Sequence, residues 1–194
     1  MTLILLASAS PRRVALLREA GLEFAVEPAD VDETLAPGTP ARAGARELAL
    51  RKARAVAARH RGESLLVIGA DTIVALGLEP GAELLGKAAD ENDERRMLGL
   101  LSGSRHAVVT GVAVVDAGSG AEQIDSETTH VRMRVLDPAE IEAYVASGAW
   151  RGKAGGYAIQ LGADRFVTGL EGAYDNVVGL PVALTLRLLR AAGS

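Results

Sequence analysis

The chain has 194 residues, 48% hydrophobic, 24% charged and 3% aromatic, a balance that excludes a disordered polymer and fits one globular domain with a sizeable core. It contains no Cys, which excludes a disulfide framework, a thiol nucleophile and thiolate zinc sites, and fits a reducing, cytoplasmic setting. Lys plus Arg number 21 against 25 Asp plus Glu, and the formal charge of −4 argues against duplex nucleic acid as a partner.

Residues 3–7 form a short apolar run that predicts a strand; it is too short, and lacks the basic flank, for an export signal. A helix is expected over residues 11–20, with Ser10 as cap, Pro11 at its first position and Gly21 as its stop. Residues 24–27 predict a strand, followed by an acidic loop carrying Asp30, Asp32, Glu33, Pro37 and Pro40. An Ala/Arg-rich helix is expected over residues 42–61, ending at Gly62. Residues 65–70 are continuously apolar, as in a buried central strand; Asp71 interrupts that run before residues 72–78 resume it. Glu79-Pro80-Gly81 turns the chain, and Asp90, Asp93 and Glu94 open a helix reaching Leu101.

Residues 106–115 and 127–135, joined through Gly118-Ser119-Gly120, read as a β-hairpin with one wet face. The apolar stretch 107–115 spans nine residues, about half of a membrane helix, so no membrane span is expected. Asp137-Pro138-x-Glu140 is a capping box for a helix ending near Gly148. Residues 149–162 are Gly-rich and irregular, and 181–192 close the chain as an amphipathic helix. The order predicts an α/β fold with a mixed sheet, without repeats or linkers.

Ser8-x-Ser10-Pro11-Arg12-Arg13 sets two guanidinium groups in the first turn of a helix, against its dipole. Free N–H groups, two hydroxyls and two Arg together suit a phosphate; the plainer reading is a capped helix with solvated arginines. Asp71, at the end of an apolar run among Gly69, Ala70 and Thr72, could meet a ligand closely, or be a buried cap or ion pair. With Glu33 of the acidic loop it could hold a divalent cation, magnesium or manganese, through oxygen; alone, Glu33 reads as a solvated loop charge. Of the 21 cations 18 are Arg, so Lys52, Lys87 and Lys153 stand out as positions that could need a compact ammonium rather than a fork. Gly81 to Gly86-Lys87 approaches a P-loop, but the final Ser or Thr is missing and the glycines sit in a hairpin, so a Walker NTPase is not expected; Lys87 stays a candidate phosphate contact. His60, His106 and His130 show no metal spacing and are read as non-catalytic, and no G-x-S-x-G occurs.

Taken together, Ser8 to Arg13, Asp32-Glu33, Lys52-Ala53, Gly69 to Thr72, Gly86-Lys87, Ser102-Gly103, Thr110-Gly111, Lys153-Ala154-Gly155-Gly156-Tyr157-Ala158-Ile159-Gln160 and Val178 to Pro181 resemble the Maf family of nucleoside triphosphate pyrophosphatases. The resemblance runs along nearly the whole chain. It implies a single domain, residues 1–194, of two lobes around a cleft, elongated, related to the inosine triphosphate pyrophosphatases and usually a homodimer. It implies that Arg12, Arg13, Lys52 and Lys87 bind a triphosphate, that Glu33 and Asp71 hold a divalent metal and serve its water, and that Asp71 is the general base. Arg12, Thr72 and Gln160 match positions tied to substrate choice. Tyr-x-Ile-Gln resembles the branch acting on dTTP and UTP, where the Gln160 amide could pair with the O4 and N3–H edge of the base. Ala88 stands where the family commonly has Pro, and Leu161 where it commonly has Gly. The implied reaction gives a monophosphate plus pyrophosphate. Two rivals remain at this point: a non-catalytic nucleotide-binding regulator of septum formation, and a pyrophosphatase for inosine, xanthosine or 7-methylguanosine triphosphates.

Overall fold

A computed structural model of the chain describes residues 3–193, with the side chain of Leu161 outside the described set. In chain order the elements are β1 (Leu3–Leu6), α1 (Pro11–Glu19), β2 (Ala25–Val26), α2 (Ala41–Ala57), β3 (Leu65–Ala75), β4 (Leu84–Leu85), α3 (Glu91–Leu101), β5 (Arg105–Asp116), β6 (Glu122–Met133), α4 (Pro138–Ser147), β7 (Val167–Glu171), α5 (Tyr174–Val178) and α6 (Val182–Ala192). The strands make one mixed sheet in the order β2-β1-β3-β5-β6-β7, with β4 paired to β3. The expected α/β class with a mixed sheet is what the chain forms. β1 runs parallel to β2 and β3, whereas β5, β6 and β7 follow antiparallel.

The two faces of β3 divide the core by strand alternation. Leu65 and Val67 pack with Ala49, Ala53 and Val56 of α2. Leu66, Ile68 and Ala70 face the other way, toward Leu17 of α1 and Leu180, Leu184 and Leu188 near α6. Each fully buried Leu or Val of these layers contributes about 1.5–3 kcal/mol. Beyond them, Val74, Met97, Leu98, Tyr144, Trp150 and Phe166 belong to a further buried cluster, built on α3 and α4.

α2 lies unusually close to the sheet. Its buried stripe recurs at Ala41, Gly44, Ala45, Leu48, Ala49, Lys52, Ala53 and Val56, mostly small residues at helical spacing. Beneath it the strands also give up their side chains. A Cβ on Gly69 would stand 2.1 Å from the Ala49 carbonyl oxygen, and one on Gly111 2.2 Å from that of Ala45.

Several boundaries differ from those expected. β3 runs unbroken through Asp71, because strand pairing to β5 continues on both sides of it and its carboxylate is met by Lys52 of α2. The helix expected to reach residue 61 ends at Ala57 and tightens into a 3₁₀ turn at Ala58–His60. β6 starts at Glu122, five residues earlier than its apolar alternation suggests, since Arg54 pairs with Glu122 at 2.6 Å and Arg46 with Asp125 at 3.1 Å above that polar stretch. The strand expected at 24–27 shrinks to β2, and β4, β7 and α5 had no expectation at all. Ser10 occupies the N-cap position of α1 but makes no side-chain cap bond, whereas the capping box of α4 forms as expected.

Candidate active site

The site arises where the edge of β3 changes partners. β1 covers that edge at Leu65 to Ile68 and β4 covers it again at Val74 and Ala75, so residues 69–73 have no strand beside them there. Opposite this gap, the chain leaves β1 through Ala7, whose N–H donates to the Ile68 carbonyl at 2.8 Å, and enters α1 with its leading N–H groups uncapped by any side chain. Such a gap between strands, faced by a helix N-terminus, is where α/β folds collect anionic ligands.

A cleft of about 300 Å³ occupies this position. From the β1–α1 connection it is lined by Ser8, Ser10, Arg12 and Arg13, from the acidic loop by Glu33, and from α2 by Lys52. β3 contributes Asp71 and Thr72, the segment after β4 contributes Lys87, and the loop after α4 contributes Lys153 and Gln160. All eleven residues expected from the sequence thus share one hollow. All three Lys of the chain are among them, which gives the scarcity of Lys elsewhere a physical meaning.

Alternation along β3 sends neighbouring side chains to opposite sides of the gap. Asp71 points toward α2, where its Oδ1 receives the Lys52 ammonium. Lys52 also pairs with Glu33 Oε1 at 2.7 Å, and Lys87 holds Glu33 Oε2 at 2.9 Å. The result is a continuous chain of charge, Asp71–Lys52–Glu33–Lys87. Burial pushes the Glu33 carboxyl up, but hydrogen bonds from Lys52 and Lys87 outweigh it and hold the group at about 2. Lys52 is only 8% exposed, and its compact ammonium spans both carboxylates.

Thr72 points to the other side, toward α1. Its hydroxyl accepts from Arg13 Nη2 at 3.2 Å, while Arg13 Nη1 donates to Ser8 Oγ at 3.1 Å and Nε to the Gly179 carbonyl at 2.8 Å. Arg13 is 9% exposed and ties together the β1–α1 connection, β3 and the α5–α6 turn. Arg12 is half-buried and, among the described residues, has no hydrogen bond or ion pair; burial lowers its pKa. Burial also lowers Lys153, with Arg12 adding to the effect, and among the described residues the Lys153 ammonium donates only to the Arg151 carbonyl, at 2.9 Å. Five cations in the lining, Arg12, Arg13, Lys52, Lys87 and Lys153, against Glu33 and Asp71 leave it at +3 within a chain of net charge −4.

Among the described residues no group of three or more His, Asp or Glu side chains is disposed to hold a metal ion. Glu33 and Asp71 nevertheless converge on one ammonium, and among the described residues only Oδ1 of Asp71, not Oδ2, is engaged by a protein group. Two hard carboxylates beside a phosphate-sized cationic surface match the donors of a divalent ion that keeps several waters and takes its remaining oxygens from a phosphate.

Some of the lining had no individual role expected from the sequence. Gly179 acts through its backbone carbonyl. Tyr157 forms part of the wall, its hydroxyl donating to His106 Nε2 at 2.8 Å, while His106 Nδ1 meets Ser104 Oγ at 3.1 Å. The Ser104 hydroxyl donates to the Leu101 carbonyl, so it accepts from His106, and burial holds that imidazole near 4, neutral. None of the three His lines the cleft. Gly81 lies in the β3–β4 connection and Gly86 directly after β4, and Lys87 bridges to Ala154, so this stretch is not the strand–loop–helix of a P-loop. Among the described residues no helix is long and apolar enough to cross a membrane.

A family model described as "Maf-like protein" matches residues 3–192 of the chain. A protein of Koribacter versatilis named "dTTP/UTP pyrophosphatase" is 47% identical over 190 residues, 98% of this chain and 94% of that one. Proteins with the same name from an Anaeromyxobacter species and from Caulobacter vibrioides are each 49% identical, covering 98% of this chain and 89% and 95% of theirs.

Proposed function

The chain belongs to the Maf-like family, and from that premise we propose that it is a nucleoside triphosphate pyrophosphatase acting on dTTP and UTP, giving the monophosphate and pyrophosphate. The observation that carries this reading is the single cleft that gathers five cations and two carboxylates from distant parts of the chain. A triphosphate is the ligand such a surface suits, since each side chain can meet a separate phosphate oxygen.

Arg12 and Lys153, free of acidic partners, grip the tail first. Lys87 and Lys52 turn from Glu33 toward the same oxygens as the substrate enters. Water attacks the α-phosphorus, its proton passes to Asp71, and the bond from that phosphorus to the bridging oxygen breaks, with pyrophosphate leaving. The cations offset the charge that develops on the bridging oxygen, an effect that outweighs the roughly 10²–10⁴-fold contribution of proton transfer. Glu33 and Asp71 would hold a divalent cation, magnesium or manganese, which supplies Lewis-acid stabilisation of phosphate charge. Ser8, Ser10 and the N-terminus of α1 offer neutral donors to the same anion. Gln160, exposed at the rim, presents donor and acceptor to the O4 and N3–H edge of thymine or uracil, with Thr72 and Arg12 nearby in the same hollow. The reading extends to a two-lobed single domain over residues 1–194 that works as a homodimer in the cytoplasm, the absence of Cys being what supports a reducing compartment.

A panel of nucleoside triphosphates with pyrophosphate readout tests the assignment. dTTP and UTP are expected to give the highest kcat/KM; preference for guanosine or inosine triphosphates contradicts the pyrimidine reading, and binding without turnover contradicts catalysis.

A further inference from the structure

Glu94 is the one buried carboxyl that the catalytic reading leaves unused. It lies in the first turns of α3, 0% exposed, and among the described residues neither of its carboxyl oxygens has a hydrogen-bond partner. What it touches is the backbone of the cleft loop. A Cβ on Gly156 would come within 1.8 Å of Glu94 Oε2, and Gly156 has φ +72°, so only glycine can rest there. The loop carries Lys153 and Gln160 into the cleft and Tyr157 into its wall. Its other supports are known: Gly155 N–H donates to the Gly86 carbonyl at 2.8 Å, Ala158 N–H to the Tyr144 hydroxyl at 3.1 Å, and Tyr157 to His106. The Gly156 N–H donates to the Lys153 carbonyl at 3.1 Å, and the nearest atoms beneath its Cα belong to the Glu94 carboxyl.

We propose that Glu94 is a positioning residue for substrate binding: as the neutral acid it seats the loop of Lys153 and Gln160 at Gly156, and on losing its proton it unseats that loop. This rests on the assignment of the cleft as the nucleotide site.

The surroundings give the ionised form nothing to pair with. Asp93 on its own helix repels it, Tyr144 of α4 is near enough for each to disfavour the other's charge, and along the loop the titratable neighbours of Gly156 are Lys153, bonded to the Arg151 carbonyl, and Tyr157, bonded to His106. Burial, with Asp93 adding to it, pushes the Glu94 carboxyl up to about 8. A carboxyl raised in the folded state favours folding most when both states are protonated. That advantage is lost as pH rises from the ordinary carboxylate range to about 8, and above it the folded protein carries a buried, unpaired charge. The cheapest relief is to lift the loop and admit water.

Trp150, the only Trp, is buried in the same cluster as Tyr144 and Tyr157 at the entrance to the loop, and reports the loop without any substrate. Its fluorescence and the KM for UTP are to be followed from about pH 6.5 to about pH 9.5 in the wild type and in Glu94→Gln, which keeps the shape and cannot ionise. The wild type is expected to show a fluorescence transition near 8. Its KM should rise about fivefold across that transition while kcat changes less. Glu94→Gln is expected to show neither change and to keep the low-pH KM; Glu94→Met takes its place should the Gln variant not fold. Identical titrations in wild type and variant, or a flat wild-type signal, overturn the proposal, and a fluorescence transition without a KM change overturns the positioning role. Absence of any UTP hydrolysis leaves the fluorescence comparison intact and counts against the pyrophosphatase assignment instead.

Discussion

Glu33 carries an ammonium on each of its carboxylate oxygens, yet its side chain is 41% exposed. Its depressed carboxyl makes the paired form stabilising above the ordinary carboxylate range, and that contribution is lost as pH falls toward about 2. Solvent screening keeps the contribution of so exposed a group at about 1 kcal/mol or less. Glu33→Gln is therefore expected to leave the melting temperature nearly unchanged while lowering kcat/KM about 100-fold, because the carboxylate that orders two lysines, and on the proposed reading would help hold a divalent cation, is gone. Thermal melts beside steady-state kinetics check both halves; a large loss of stability with intact activity contradicts the role. At this scale the charged residues were legible, since cations set against a helix dipole and a carboxylate ending an apolar run ask for a ligand. The Gly179 carbonyl, the Tyr157–His106 contact and the seat of Gly156 on Glu94 were not, because backbone acceptors and buried relays leave no mark in residue type.

Between β3 and α2 the placement of Lys52 against Asp71 depends on two missing side chains. Gly69→Ala drives a methyl into the Ala49 carbonyl and the Ala53 backbone, neither of which can yield without moving α2. The expected cost is about 3 kcal/mol, with activity falling further than stability alone explains as Lys52 withdraws. Gly99→Ala, with open space around it in α3, is the control and should gain up to about 1 kcal/mol. Denaturant unfolding of both variants measures the contrast; equal small effects would show that the close approach is not under strain. The Ala/Arg-rich stretch announced α2, continuous apolar runs announced β3 and β5, and the capping box announced α4. β7 and α5 went unseen because five residues each, mixing polar and apolar, carry too little period. The apparent break at Asp71 misled for a specific reason: a charge in a buried strand looks like an ending until the lysine above it is placed.

Across the whole molecule, charge is sorted rather than balanced. The cleft lining is at +3 while the chain is at −4, so the remainder carries −7, and the attraction for a polyanion is concentrated in the hollow. That a cleft exists could not be read from composition or period; only the ordered motifs, through their resemblance to a family, brought residues from 8 to 160 into one place. The arrangement has a chemical consequence. On the proposed reading, the cations that share the hollow with Asp71 favour departure of the most highly charged fragment, which directs water to the innermost phosphorus. Hydrolysis of UTP in oxygen-18 water, followed by mass spectrometry of the products, tests this most directly. The label is expected in the phosphate of UMP with unlabelled pyrophosphate; label in pyrophosphate, or release of UDP and orthophosphate, would contradict it.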